Sequence, residues 1–293
     1  MLTHSGTLNC SSPTTISADN WRDCVVKCGK NHSCMAAQTG SSITCQLCPF
    51  GHVSSFQTIN STAKIALKTN STVNQTCANF KSGTTFTESY SQNLTTFQYT
   101  AKWTVAGWIV TFKTIRKCAS GWKHFNRTLG EWCIRVSVTD SYLNRTDAVR
   151  KCTRDGAVLS GLETIIERDW VHNTALPLMT DLNDGVWQVQ IWLDGIRRSE
   201  CAPIADRVFP AGCDGTASFR FSDKTLSTKD GYTWSDGNPD GLRYDSNTVQ
   251  NCIVMWIKPN AALADDNFCT ASTNNYGATG FGIRGYACGK PAG

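Results

Sequence analysis

The chain has 293 residues, 15 of them cysteine, with 28 Lys+Arg against 23 Asp+Glu and a formal charge of +5. Apolar residues make up 40% and charged residues 17%, which excludes a coiled coil and a disordered solvating chain. No apolar run nears the roughly 18 residues that a membrane-spanning helix needs, so no membrane span is expected.

Cysteine at this density points to an oxidising compartment. The Asn-x-Ser/Thr acceptors agree, at Asn9, Asn31, Asn60, Asn70, Asn74, Asn93, Asn126 and Asn144, all in the first half. The expectation is a secreted glycoprotein, although residues 1–9 show no apolar leader core. Charge divides the chain: residues 1–117 carry 10 − 3 = +7, and residues 118–293 carry 18 − 20 = −2. The basic excess has no Lys/Arg block and no helical stripe, so no nucleic-acid partner is expected. Weak attraction to anionic glycans or membrane surfaces suits it better.

In chain order, residues 1–77 read as a small disulfide-stapled module with few helical periodicities and short strands over 52–65 and 66–68. Residues 78–117 are a polar connecting segment that becomes strand-like over 97–112. Residues 118–293 read as an α+β domain. Thr146 is placed to cap a helix from Asp147, with Ala148, Val149 and Cys152 inward and Gly156 ending it. A second helix begins near Glu163. Leu162, Ile165, Ile166 and Trp170 form its apolar stripe, and Glu163, Glu167 and Arg168 its wet face. The period then falls to two at Trp187, Val189, Ile191 and Leu193, a strand. Residues 200–250 have little periodicity, which in a compact domain marks a functional or disordered loop. Further strands fall at 253–257 and 282–288.

The residues of the back half resemble a C-type lectin-like domain in its long form. Cys118-Ala-Ser-Gly-Trp122 with Phe125 and Cys133 looks like the opening hairpin. Ala148 to Cys152 followed by Gly156 resembles the first helix, and Trp192-Leu-Asp-Gly195 resembles the core strand. By this resemblance Cys152 pairs with Cys288, Cys252 with Cys269, Cys118 with Cys133, and Cys201 with Cys213. The front half, with Trp21 and Cys24, Cys28, Cys34, Cys45 and Cys48, resembles the PAN-like (CW) module of the nematode-type members. Eight cysteines behind leave seven in front, an odd number, so one is free, pairs with another chain or has lost its partner.

The resemblance implies an α+β fold of two helices, antiparallel sheets and a long irregular loop. It also implies sugar recognition through a loop-bound Ca²⁺, which takes six to eight oxygens. The matching positions are Asn238 and Asp240 around Pro239, which the family turns with a cis bond, then Gln250, Asp265 and Asp266. Three departures stand out: Ala264 occupies the place of a tryptophan, Gln250 often is Glu, and Asp265 stands where the family has Asn, so the order of acid and amide changes. Amide first and acid third resembles the galactose-type order. Tyr244 would then stack on the sugar, or it is a loop tyrosine packed on the domain; Trp234, beside the triplet, stays open between core and sugar platform. The implied partners are glycans or a glycoprotein, microbial ones in a defence role among them, with multivalency offsetting weak single sites. The alternative is a Ca²⁺-independent protein-interaction module on the same fold, which Ala264 and Gln250 favour.

Other signals are discounted. Gly280-Phe-Gly282-Ile-Arg-Gly285 fits a dinucleotide fingerprint but lacks room for the following helix and strand. Cys45 and Cys48 with His32 or His52 could hold zinc, but disulfides suit a secreted chain better. Glu163 and Glu167 share a helical turn but read as solvated, and no nucleophile motif occurs, so no enzyme is expected.

Overall fold

The computed structural model describes all residues except 40–43, 59–61, 69–82, 84, 105–106, 181–187, 206, 244–247 and 275–279. Its contacts divide into two units, residues 1–117 with Gly293, and residues 118–292.

The first unit is built on a six-stranded sheet. Its strands are β1 (Leu2–Cys10), β2 (Thr14–Ser17), β3 (Cys34–Thr39), β4 (Thr44–Pro49), β5 (Val53–Thr58) and β6 (Lys64–Leu67), in the order β2-β4-β3-β6-β1-β5. One helix, α1 (Trp21–Lys30), was not foreseen from periodicity. Asn20 caps it by accepting from the Asp23 N–H at 3.0 Å. Its buried residues are Cys24 and Cys28, four apart, and disulfides join them to Cys45 and Cys34. Sulfur bridges, rather than an apolar stripe, fasten this helix to the sheet. A third bridge joins Cys10 to Cys48, so the cysteines weighed for zinc are in disulfides. The seventh front cysteine, Cys77, lies outside the described residues.

The connecting stretch is itself ordered. Strands β7 (Thr85–Gln92), β8 (Thr95–Thr104) and β9 (Gly107–Arg116) form an antiparallel meander. Tyr99 and Ala101 alternate inward on β8 and join Val110 in one core with Met35, Phe50, Ile65 and Leu67. The Tyr99 hydroxyl donates to the Lys68 carbonyl at 2.6 Å, which satisfies a buried polar group.

The second unit carries two helices, α2 (Arg145–Arg154) and α3 (Ile165–Thr180), and a nine-stranded sheet. Its main path runs β10 (Lys123–Arg127), β11 (Gly130–Val138), β18 (Phe281–Pro291), β13 (Gln188–Arg197), β15 (Cys252–Ile257) and β16 (Ala264–Asn267). Short strands β12 (Val158–Leu159) and β17 (Thr273–Asn274) pair with β18, and β14 (Phe219–Arg220) pairs with β13. β13 and β18 are parallel, whereas the other pairs are antiparallel. The Gly280–Gly285 motif therefore runs into a core strand, not a phosphate loop. Bridges join Cys118–Cys133, Cys152–Cys288, Cys201–Cys213 and Cys252–Cys269.

Two expectations about the helices are corrected. The cap of α2 is Asn144, whose side chain accepts from the Asp147 N–H at 2.9 Å, not Thr146. Two of the three residues assigned to the wet face of the second helix are buried, and the third, Arg168, is half-buried. Glu163 and Glu167 are 3% and 1% exposed, while Ile165 and Ile166 are 50% and 74% exposed. The cause is Arg127 on β10. Its guanidinium makes a two-pronged pair with Glu167, both contacts at 2.7 Å, and a third with Asp223 at 2.7 Å. Glu163 accepts from the Ser227 N–H at 2.9 Å and from its hydroxyl. The acids thus tie α3 to residues 223–227 of the long loop.

Candidate functional site

The long loop leaves β13 at Arg197 and returns at β15. It is irregular but closely held. The Cys201–Cys213 bridge closes its first part, and it carries two short 3-10 turns, Ser199–Cys201 and Gly215–Ser218. Trp234 stacks on Phe219 and Tyr232, with ring centroids 5.6 and 6.4 Å apart, and bridges to Ala264. Trp234 is half-buried and packs against the domain core. Gly241 adopts φ +58°, and a Cβ there would meet Phe209 at 2.9 Å, so this turn needs glycine.

The structure brings Asn238, Asp240, Gln250 and Asp266 to one end of the loop. The Asn238–Pro239 bond is cis. Asp266 is fully buried and its carboxylate oxygens are engaged. One accepts from the Asp240 N–H at 2.9 Å, and the other from the Gly241 N–H at 2.8 Å and from Arg197 at 2.5 Å. Asp240 accepts from the Leu242 N–H at 2.9 Å and from Arg207 at 3.3 Å. The Gln250 amide satisfies its neighbours when its nitrogen donates to Asp240 and to the Asp266 carbonyl, each at 3.1 Å. Asn238 donates to the Ser235 hydroxyl at 2.7 Å.

Asp265 is turned elsewhere. Neighbouring residues on a strand point to opposite faces, and on β16 this separates the acid pair. Asp265 accepts from the Trp256 indole N–H at 2.9 Å. Burial, aided by repulsion from Asp266 and Asp240 and opposed by the indole, pushes its carboxyl up to about 7. Tyr244 lies outside the described residues.

These residues do not fit a Ca²⁺ ion as they stand. A hard cation needs free oxygens converging on one point. Here the Asp266 carboxylate already holds a cation and Asp265 faces an indole. Among the described residues no three His, Cys, Asp or Glu are grouped to hold a metal. Sequence reasoning missed Arg197, the residue that decides this. Its partner is 69 residues away, and no local pattern marks it.

The rim of this end is in part apolar. Ile204, Val208 and Leu242 are 68%, 51% and 45% exposed, and the Ile204 N–H donates to the Val208 carbonyl at 2.7 Å, which holds two of them on one turn. Among the acceptor asparagines, Asn9, Asn31, Asn93 and Asn126 are exposed and Asn144 is half-buried. Asn60, Asn70 and Asn74 lie outside the described residues.

Comparison with known proteins sets this geometry in a family. Residues 123–291 match the family described as C-type lectin domain-containing protein 141/158. The chain belongs to that family. Residues 1–69 match the PAN-like domain. C-type lectin domain-containing protein 158 of Caenorhabditis elegans is 24% identical over 191 residues, covering 59% of this chain and 88% of that one. Two solved structures resemble the chain at 16% identity. The cow C-type carbohydrate-recognition domain of CD23, crystallised with a GlcNAc2Man3 oligosaccharide, has TM-score 0.38 and covers 61% of this chain and 99% of its own. A calcium-independent type II antifreeze protein has TM-score 0.36 and covers 61% and 97%. The chain thus carries a C-type lectin-like domain behind a PAN-like domain. No helix among the described residues is long and apolar enough to cross a membrane.

Proposed function

We propose that this C-type lectin-like chain is a secreted recognition protein that binds a glycan or glycoprotein through its long-loop end without a metal ion. The observation that carries the reading is the Arg197–Asp266 contact of 2.5 Å, which occupies the buried carboxylate a bound ion would use. The exposed Ile204, Val208 and Leu242 beside Asp240 and Arg207 suit a partner with both apolar and polar surface, a protein or the apolar face of a sugar. Seven disulfides among the described residues support an oxidising, extracellular setting. No chemistry on the ligand is part of this reading. A small contact area gives weak single sites, so multivalent presentation is part of it, and a role in defence is the use such binding suggests.

The second reading is Ca²⁺-borne, galactose-type recognition by Asn238, Asp240 and Asp266. The Asn-Pro-Asp order favours it, and it requires Arg197 to release Asp266. A glycan and glycoprotein array, probed in millimolar Ca²⁺ and again in chelator, separates the two. The first reading expects the same ligands in both conditions and their loss in Leu242→Asp. Galactose-type binding that vanishes in chelator would establish the second and sink the first.

A further inference from the structure

We infer that Arg197 is the resident cation of this loop, its guanidinium holding Asp266 and the turn at Asp240 and Gly241 where the family resemblance places a metal ion. The inference deepens the metal-free reading above and rests on it.

The argument begins with burial. An unpaired carboxylate taken out of water is costly, and Asp266 is 0% exposed. Two backbone N–H groups reach it, from Asp240 and Gly241, but they carry no net charge. Among the described residues one basic side chain bonds it, Arg197 at 2.5 Å, itself 1% exposed in its side chain. A guanidinium stays protonated in proteins. Burial draws the Asp266 carboxyl up and the Arg197 guanidinium down, and their contact opposes both.

The geometry adds what a point charge lacks. The guanidinium carbon lies 4.8 Å from the Phe209 ring and 4.7 Å from the Phe219 ring, and a flat delocalised cation suits such aromatic neighbours. Its Nε donates to the Gln250 carbonyl at 3.2 Å. One side chain therefore joins the end of β13, the 240–241 turn through Asp266, and the backbone that leads into β15. Asp240 adds a further negative charge that Arg197 feels. A loop joined in this way needs no ion to keep its shape.

The test is thermal melting of the full chain, which requires no ligand. The wild type is compared in chelator and in millimolar Ca²⁺, beside Arg197→Lys, which keeps the charge, and Arg197→Met, which keeps the stem and removes it. The wild type is expected to melt alike in both conditions. Arg197→Met should melt roughly 6–20 °C lower, because breaking a buried pair strands a charge, with Arg197→Lys between them. A rise of several degrees for wild type in Ca²⁺ would overturn the inference. So would Arg197→Met melting at or above Arg197→Lys, since that makes the side chain mere packing between two rings. A Met variant that does not fold beside a Lys variant that does supports it. If neither folds, the wild-type comparison in Ca²⁺ decides. Failure to find an array ligand would count against the proposed function and leave the melting result standing.

Discussion

On β16, Asp265 keeps its proton to about pH 7 because burial, with Asp266 and Asp240 nearby, disfavours its charge. An unfolded aspartate loses its proton near pH 4. Between those values the folded state binds more protons than the unfolded state, so stability falls as pH rises. A carboxyl moved from near 4 to about 7 bounds the loss at about 4 kcal/mol. Asp265→Asn should therefore flatten the decline in urea stability between pH 4.5 and 7.5, and parallel curves for variant and wild type would refute the assignment. Arg127 answers to the same physics. It balances Glu167 and Asp223 with no side chain of the three more than 2% exposed. Arg127→Met should cost about 3–5 kcal/mol in chemical denaturation, since two carboxylates then lie buried without a cation. A loss below about 1 kcal/mol would mean the acids simply take up protons. The Arg127 network is not visible in the sequence, because its side chains lie 40 to 96 residues apart. The acids of the loop could be named from their positions in the motif. The arginine that claims one of them could not.

At the scale of elements, helix α2 shows what local pattern supplies and where it stops. The spacing of Ala148 and Cys152 locates the helix and its buried face, and both are fully buried. The cap is a finer matter. Asn144 and Thr146 are both capping residue types, and only the bond to the Asp147 N–H decides between them. Protein made without glycosylation should lose about 1 kcal/mol in Asn144→Ala and much less in Thr146→Ala. Equal losses would show that the acceptor triplet matters here for another reason. Helix α3 misleads because its period is read against an assumed polar outside. Partners on β10 and on the loop bury two glutamates, and two isoleucines face water. Helix α1 escapes notice because its inward residues are cysteines, which a search for an apolar stripe undercounts.

For the whole molecule, the cysteine count and the charge asymmetry already separate front from back, and each unit has its own core and its own bridges. That independence makes the charge of each unit testable by itself. Residues 1–117 hold ten Lys+Arg and three Asp+Glu, a net of 10 − 3 = +7, and residues 118–293 hold 18 and 20, a net of −2. A field of that sign attracts polyanions without any shaped site, and it fades once salt shortens the screening length below about 10 Å. Residues 1–117 expressed alone should be retained on immobilised heparin at low salt and released at a few hundred millimolar. Residues 118–293 should pass through. If the back unit is retained instead, a local basic surface outweighs its net charge, and Arg198, Arg207 and Arg220 around the long loop become the residues to neutralise. If the front unit stays bound at high salt, the contact is more than electrostatic, and the PAN-like module has a shaped glycan site of its own.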